Sequence, residues 1–242
     1  DRENDRIKLK IIHTYGVVKQ AEELAGRMHL SPEDTDLARL IALLHDIGRF
    51  EQLKRYDSFE PGTMDHAAYG VKVLFDEGMI RRFLPDDKWD SIIYTAIAHH
   101  SDYELPEISD PQTLLHAKLI RDEDKLDNCR VKLVDSTSTF INVSEEELGT
   151  QNITQKVYET VFENKCILSA DRVTQMDYWV SYIVYFFDIN FKESFDIIAE
   201  NDYLNRIIDR IPYSNPVTKE QMENIRVYMQ NFINSHTNRQ SF

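Results

Sequence analysis

The sequence predicts an all-α protein, and three observations carry that expectation. Only 7 Gly and 7 Pro stand among 242 residues, too few punctuating residues for a turn-rich β fold. Apolar residues recur at helical spacing in stretch after stretch, as in Leu9, Val17 and Ala21 or Leu37 and Ile41. Helix-opening residues precede several of those stretches: Ser31-Pro32, Pro85-Asp86-Asp87 and Pro111. A hydrophobic fraction of 42% is ample for a substantial core.

The first helix is expected from about Asp5 to Met28. Its stripe of Leu9, His13, Val17 and Ala21, reinforced by Ile12 and Leu24, places His13 inside. There it reads as a core histidine bonded to a carbonyl or as a ligand. Ser31 caps the second helix, whose apolar positions Leu37, Leu40, Ile41 and Leu44 carry His45 inward, with Asp46 beside it. A buried ionised carboxylate is unfavourable unless it is paired or coordinates a metal. Gly48 is expected to end this helix in a left-handed conformation. Phe50 to Thr63 reads as a polar loop, with turn signals at Asp57-Ser58 and Pro61-Gly62.

Asp65 is expected to cap the next helix and to place His66 in its first turn. Most histidines so placed are solvated, but Ala67, Ala68 and Gly70 allow close packing that would turn His66 inward. Pro85 opens a helix with Trp89, Ile92, Ile93, Ala96 and Ile97 on its face, leading to His99-His100 and closed by Ser101 to Pro106. Sequence neighbours sit about 100° apart on a helix, so both rings converge only near its end. Pro111 opens a helix burying Leu115, Leu119 and Ile120, and Asp124 continues that stripe. Asp122 and Asp127 read as solvated or as supports behind the ligands. Val131 to Thr150 reads as a connection with a short helix, and Thr154 to Phe162 and Asp171 to Phe195 as helices. Tyr178, Trp179, Tyr182, Tyr185, Phe186, Phe187 and Phe191 form an aromatic stripe, read as core ahead of a base-stacking platform. Val217 to His236 is a last amphipathic helix. His29, His116 and His236 are bystanders, and no internal repeat or Gly-rich phosphate loop occurs.

The segment Ala42-Leu43-Leu44-His45-Asp46-Ile47-Gly48 resembles the signature of the HD superfamily of metal-dependent phosphohydrolases. That family's pattern is an isolated His on an early helix, the His-Asp pair, further His residues and a late Asp. Ile120 to Asn128 is similar to its closing motif, an Asp ahead of Lys-Leu or Arg-Leu. The resemblance covers roughly residues 1–130. It implies an HD-domain helical bundle, with 131–242 a helical extension packed on it and no function assigned there. It also implies a metal set of His13, His45, Asp46, His66, His99, His100 and Asp124. His13, His45, Asp46 and Asp124 would hold one ion; His66, His99 and His100 would hold a second, with Asp46 bridging. Imidazoles with carboxylates suit Fe, Mn, Co, Ni or Zn better than Ca or Mg.

The implied reaction is cleavage of a small phosphate ester or nucleotide by metal-activated water. Asp46 is its central carboxylate, Arg49 and Lys125 its cations for phosphate oxygens, and Glu51 a proton shuttle. Two other classes fit the scaffold: a diiron oxygenase similar to the inositol-cleaving members, and a nucleotide-binding regulatory module without turnover. Those oxygenases use four His and two Asp, so the extra histidine of His99-His100 favours hydrolysis. The Gly-Tyr-Pro element of the cyclic-di-GMP branch is absent, since Ser101-Asp102-Tyr103 follows the pair.

A net charge of −14 repels polyanions and argues against long nucleic acid as a partner, while leaving a small phosphorylated substrate compatible. Cys129 and Cys166 build no disulfide framework, as expected of a cytoplasmic protein. Asn142-Val143-Ser144 and Asn152-Ile153-Thr154 match the short glycosylation tripeptide, which arises often by chance. The longest apolar run, Tyr178 to Phe187, is too short to span a bilayer, so no membrane role is expected. No signal peptide is visible, and with a start at Asp1 rather than Met a few further leading residues are an expectation.

Overall fold

The computed structural model describes residues 4–60 and 62–237, and among them every regular element is helical. Pro61, half of one expected turn signal, lies outside the described residues. The chain divides into two compact units between Asp127 and Asn128.

In the first unit, α1 (Asp5–Arg27) starts where the Asn4 side chain accepts from the Arg6 and Ile7 amides. It buries Leu9, His13, Val17, Ala21 and Leu24 and packs along α2 (Pro32–Leu44), which buries Leu37, Ala38 and Ile41. Each large apolar side chain so buried contributes about 1.5–3 kcal/mol. These stripes also carry His13 and His45 inward, as their spacing predicts.

Gly48 does not end the second helix. A new helix, α3 (Ile47–Tyr56), begins at once, and Gly48 is its second residue. Glycine is required there for proximity rather than conformation. A Cβ on Gly48 would lie 2.0 Å from the His66 carbonyl oxygen and 2.9 Å from the Gly70 nitrogen. α3 therefore crosses α4 (His66–Val71) at contact distance, which brings His66 to Asp46. The left-handed stop comes nine residues later at Asp57, with φ 45°. The expected loop from Phe50 is thus helical as far as Tyr56: its polar residues hide a short amphipathic helix that buries Gln52 and Leu53.

Asp65 caps α4 as expected, accepting from the Ala68 amide at 2.9 Å. α5 (Asp90–Ala98) begins later than Pro85, because the Arg81 guanidinium binds the Asp86 carbonyl and the Asp90 carboxylate and holds the intervening residues in a turn. α6 (Pro111–Val134) carries Asp124 and continues into the second unit.

That unit adds α7 (Thr137–Ile141), α8 (Glu145–Thr150), α9 (Gln155–Val161), α10 (Gln175–Val184), α11 (Lys192–Glu200), α12 (Tyr203–Asp209) and α13 (Pro216–Thr237). The single helix expected from Asp171 to Phe195 is two helices, because a Thr174/Asp177 capping box starts α10 and a 3₁₀ turn over Tyr185–Asp188 ends it. Of the aromatic stripe, Trp179 and Phe186 are buried in the core and Tyr178, Tyr182, Tyr185, Phe187 and Phe191 are half-buried; the Lys132 ammonium lies 4.2 Å and 4.0 Å from the ring centroids of Phe140 and Tyr182. No helix among the described residues is long and apolar enough to cross a membrane.

Candidate metal centre

Four imidazoles and three carboxylates meet where α1, the α2–α3 junction, the start of α4, the end of α5 and the middle of α6 come together. His13, His45, His66, His100 and Asp46 are all buried. Ring centroids are 5.9 Å apart for His13 and His45, 5.2 Å for His45 and His100, and 5.0 Å for His66 and His100.

Hydrogen bonds at the far side of three rings fix their tautomers. His13 Nδ1 donates to Asp127 Oδ2 at 2.7 Å, His45 Nδ1 to the Ala42 carbonyl at 2.8 Å, and His100 Nδ1 to the Ile97 carbonyl at 2.7 Å. A carbonyl only accepts, so Nδ1 of His45 and His100 must carry hydrogen, and each ring in its neutral form presents a bare Nε2. Those nitrogens point at one another's space. His13 Nε2 and His45 Nε2 are buried with no hydrogen-bond partner among the described residues. His66 Nε2 and His100 Nε2 face each other at 3.1 Å. Buried lone pairs gathered this way lack donors, and a transition-metal cation satisfies them together. The donor set fits such an ion.

Asp46 stands between the rings, and its two oxygens face different pairs. Oδ2 is 3.3 Å from His45 Nε2 and 3.8 Å from His13 Nε2; Oδ1 is 3.4 Å from His66 Nε2 and 3.7 Å from His100 Nε2. Asp124 Oδ1 joins the first side, 2.9 Å from His13 Nε2 and 3.8 Å from His45 Nε2. Among the described residues, two groupings have atoms close enough to share an ion: His13, His45 and Asp124, and His45, Asp46 and His100.

The charge environment is strongly biased. Burial alone would push the Asp46 carboxyl up, yet the Lys10 ammonium and the imidazole of His45 hold it well below the usual carboxylate range. Asp124 is likewise held low against its burial, chiefly by His13. Burial, with Arg49 and His100 alongside, pushes the His66 imidazole down to about 2, so it stays neutral.

His99 is not brought to the cluster. Its side chain is 34% exposed, and its Nδ1 lies 2.6 Å from Asp102 Oδ2. The main chain turns at the end of α5, so adjacent rings diverge, and Arg121 fixes that turn by donating to the carbonyls of His99 at 3.0 Å and Asp102 at 2.7 Å. Arg49 Nε is 3.6 Å from Asp46 Oδ1, while Arg49 Nη1 donates to Gln52 Oε1 at 2.7 Å. Lys125 Nζ donates to the Arg121 carbonyl at 3.1 Å. Glu51 pairs with Arg55 at 2.7 Å on α3.

Two contributors are absent from the sequence reading, and for a third, Asp127, the structure decides between its two readings. Lys10 binds Asp46 from one turn before His13. Gln52 anchors Arg49 and is itself held by Thr63 Oγ1 at 2.8 Å. Asp127, expected as solvated or supporting, is wholly buried on His13, and Gly16 makes room for it: a Cβ there would lie 2.0 Å from Asp127 Oδ1. Asp122 is buried as well. His116 bonds Asp34 at 3.1 Å, and in the second unit His236 stacks on Phe195 at 4.5 Å.

Compared with known proteins, residues 11–129 match the family model described as the HD domain. No curated protein and no solved structure matches the chain.

Proposed function

We propose, on the premise that residues 11–129 belong to the HD-domain family, that this chain is a metal-dependent phosphohydrolase acting on a small phosphorylated substrate. The observation that carries the reading is the division of Asp46 between two imidazole pairs, which supports two divalent ions of Fe, Mn, Co, Ni or Zn. His13, His45 and Asp124 would hold one ion, His66 and His100 the other, and Asp46 would serve both. When bound, such ions lower the pKa of water and polarise phosphoryl oxygens.

The chain's own groups do the rest. Asp127 and the Ala42 and Ile97 carbonyls keep three rings turned with Nε2 inward. Arg49, tethered by Gln52 and the Phe59 carbonyl, holds a guanidinium beside Asp46 where phosphate oxygens would arrive. Lys125, directly after Asp124, is the second cation for that role. The net charge of −14 favours small anions drawn to these local cations over long polyanions.

A second reading has a specific observation behind it. With His99 turned to Asp102, four His and two Asp converge, which is the count the resemblance implies for diiron oxygenases. The histidine count therefore does not separate the two reactions; the Arg49 anchorage and the family's predominance of metal-dependent hydrolases favour hydrolysis. Protein purified without chelator and supplied with Mn²⁺ or Fe²⁺ is expected to release phosphate from a phosphomonoester, nucleotide or phosphodiester under anaerobic conditions. Strict dependence on dioxygen without phosphate release would establish the oxygenase. Tight nucleotide binding without product under any metal would establish a regulatory module.

A further inference from the structure

The Asp46 oxygen that faces His13 and His45 already carries a cation, the Lys10 ammonium. Lys10 lies three residues before His13, so helical spacing sets both side chains on one face of α1. Its side chain is 12% exposed, and Nζ lies 5.9 Å from the centroid of the Phe59 ring. Arg49 approaches the other oxygen from 3.6 Å and is fastened elsewhere by Gln52 and Phe59. The two cations are thus unequal: Arg49 stands beside the carboxylate, whereas Lys10 sits on it.

We propose that Lys10 is a resident counter-cation, neutralising buried Asp46 in the metal-free protein and competing with metal for Asp46 Oδ2. Asp46 and Asp124 are gathered at one junction, and a buried carboxylate stripped of its partner is strongly destabilising. Lys10 is the ammonium seated directly on Asp46, so the metal-free fold depends on it. A divalent ion at the same oxygen would repel the ammonium at short range. Loading therefore requires Lys10 to leave the carboxylate, and the face of Phe59 offers it a nearby resting place. The device allows the chain to fold before metal arrives, at the expense of metal affinity. It rests on the metal reading above and is independent of which reaction the centre performs.

The test is a Zn²⁺ titration of the chelator-stripped full chain against a competing chromophoric chelator, alongside melting of the stripped protein. Lys10→Met is expected to bind Zn²⁺ about tenfold or more tightly than the parent, and to melt at a lower temperature when stripped. Lys10→Arg, which keeps the charge, is expected to match the parent in both. If Lys10→Met is unfolded when stripped, Zn²⁺ is expected to restore its helical circular dichroism. Equal or weaker Zn²⁺ binding by Lys10→Met, an unchanged melting temperature, or a variant that Zn²⁺ cannot refold would overturn the inference. Parent protein that binds no Zn²⁺ would overturn the metal reading together with it.

Discussion

Asp46 in the first unit and Asp177 in the second are both buried carboxylates at helix starts, and they are stabilised by different means. Asp177 accepts from three backbone amides, those of Thr154 and Val173 at 2.9 Å and Thr174 at 3.0 Å, and its capping box starts α10. Asp46 occupies the N-cap position of α3, yet its side chain caps nothing. It faces four imidazoles, Lys10 and Arg49 instead. The backbone fully accounts for Asp177, whose role is to hold the chain. Asp46 forgoes an available cap and gathers side chains that are costly to bury, so its role lies outside the fold. Burial of a carboxylate says little by itself; the identity of its donors separates the two cases.

Exchange of each carboxylate separates the two roles. Asp46→Ala is expected to remove turnover and most of the bound metal, as read by elemental analysis, while circular dichroism stays helical. Asp177→Ala is expected to leave metal content unchanged and to lower stability by about 3 kcal/mol, since it deletes a cap and strands buried amides. If Asp46→Ala kept its metal and its rate, or Asp177→Ala lost them, the division between the two regions would be wrong.

Acid sharpens the same contrast. An unfolded histidine binds its proton near pH 6.5, whereas His66 in the fold is pushed down to about 2. The unfolded chain therefore takes up the proton first as pH falls. The contribution of His66 to metal-free stability is complete above about 6.5 and declines by about 1.4 kcal/mol per pH unit below it. Urea unfolding of stripped protein at several pH values should show this slope, and His66→Gln should flatten it. A parent protein as stable at pH 5.5 as at 7.5 would contradict the neutral burial of His66. The smallest effect belongs to His99: His99→Ala should leave metal content at the parental level, whereas His100→Ala should lower it.

The residues that sequence reasoning located share one property. His13, His45 and Asp124 continue apolar stripes at helical spacing, and His66 and His100 lie at helix ends beside small or apolar neighbours. Periodicity reports such positions because it reports the buried face. Lys10 and Gln52 were missed because each is a surface-type residue, and Asp127 was read as solvated or supporting without its partner His13, which lies 114 residues away. Signals for two of them existed: Lys10 precedes His13 by three residues, and Asp127 follows Asp124 by three, so each shares a helix face with a ligand-type residue. Gly48 was misread because a glycine needed for close approach and a glycine needed for a left-handed turn look alike in sequence. His99 diverged from His100 because the chain turns at the end of α5 and Asp102 captures its ring.

Anomalous diffraction from crystals of Mn²⁺- or Zn²⁺-loaded protein would show whether Asp46 is shared between two ions. Two peaks are expected, with Asp46 bound to both, His13, His45 and Asp124 on one, and His66 and His100 on the other at about 2.0–2.1 Å for Zn²⁺. A single peak with both His66 Nε2 and His100 Nε2 more than about 3 Å from any metal, well beyond such bond lengths, would contradict that sharing.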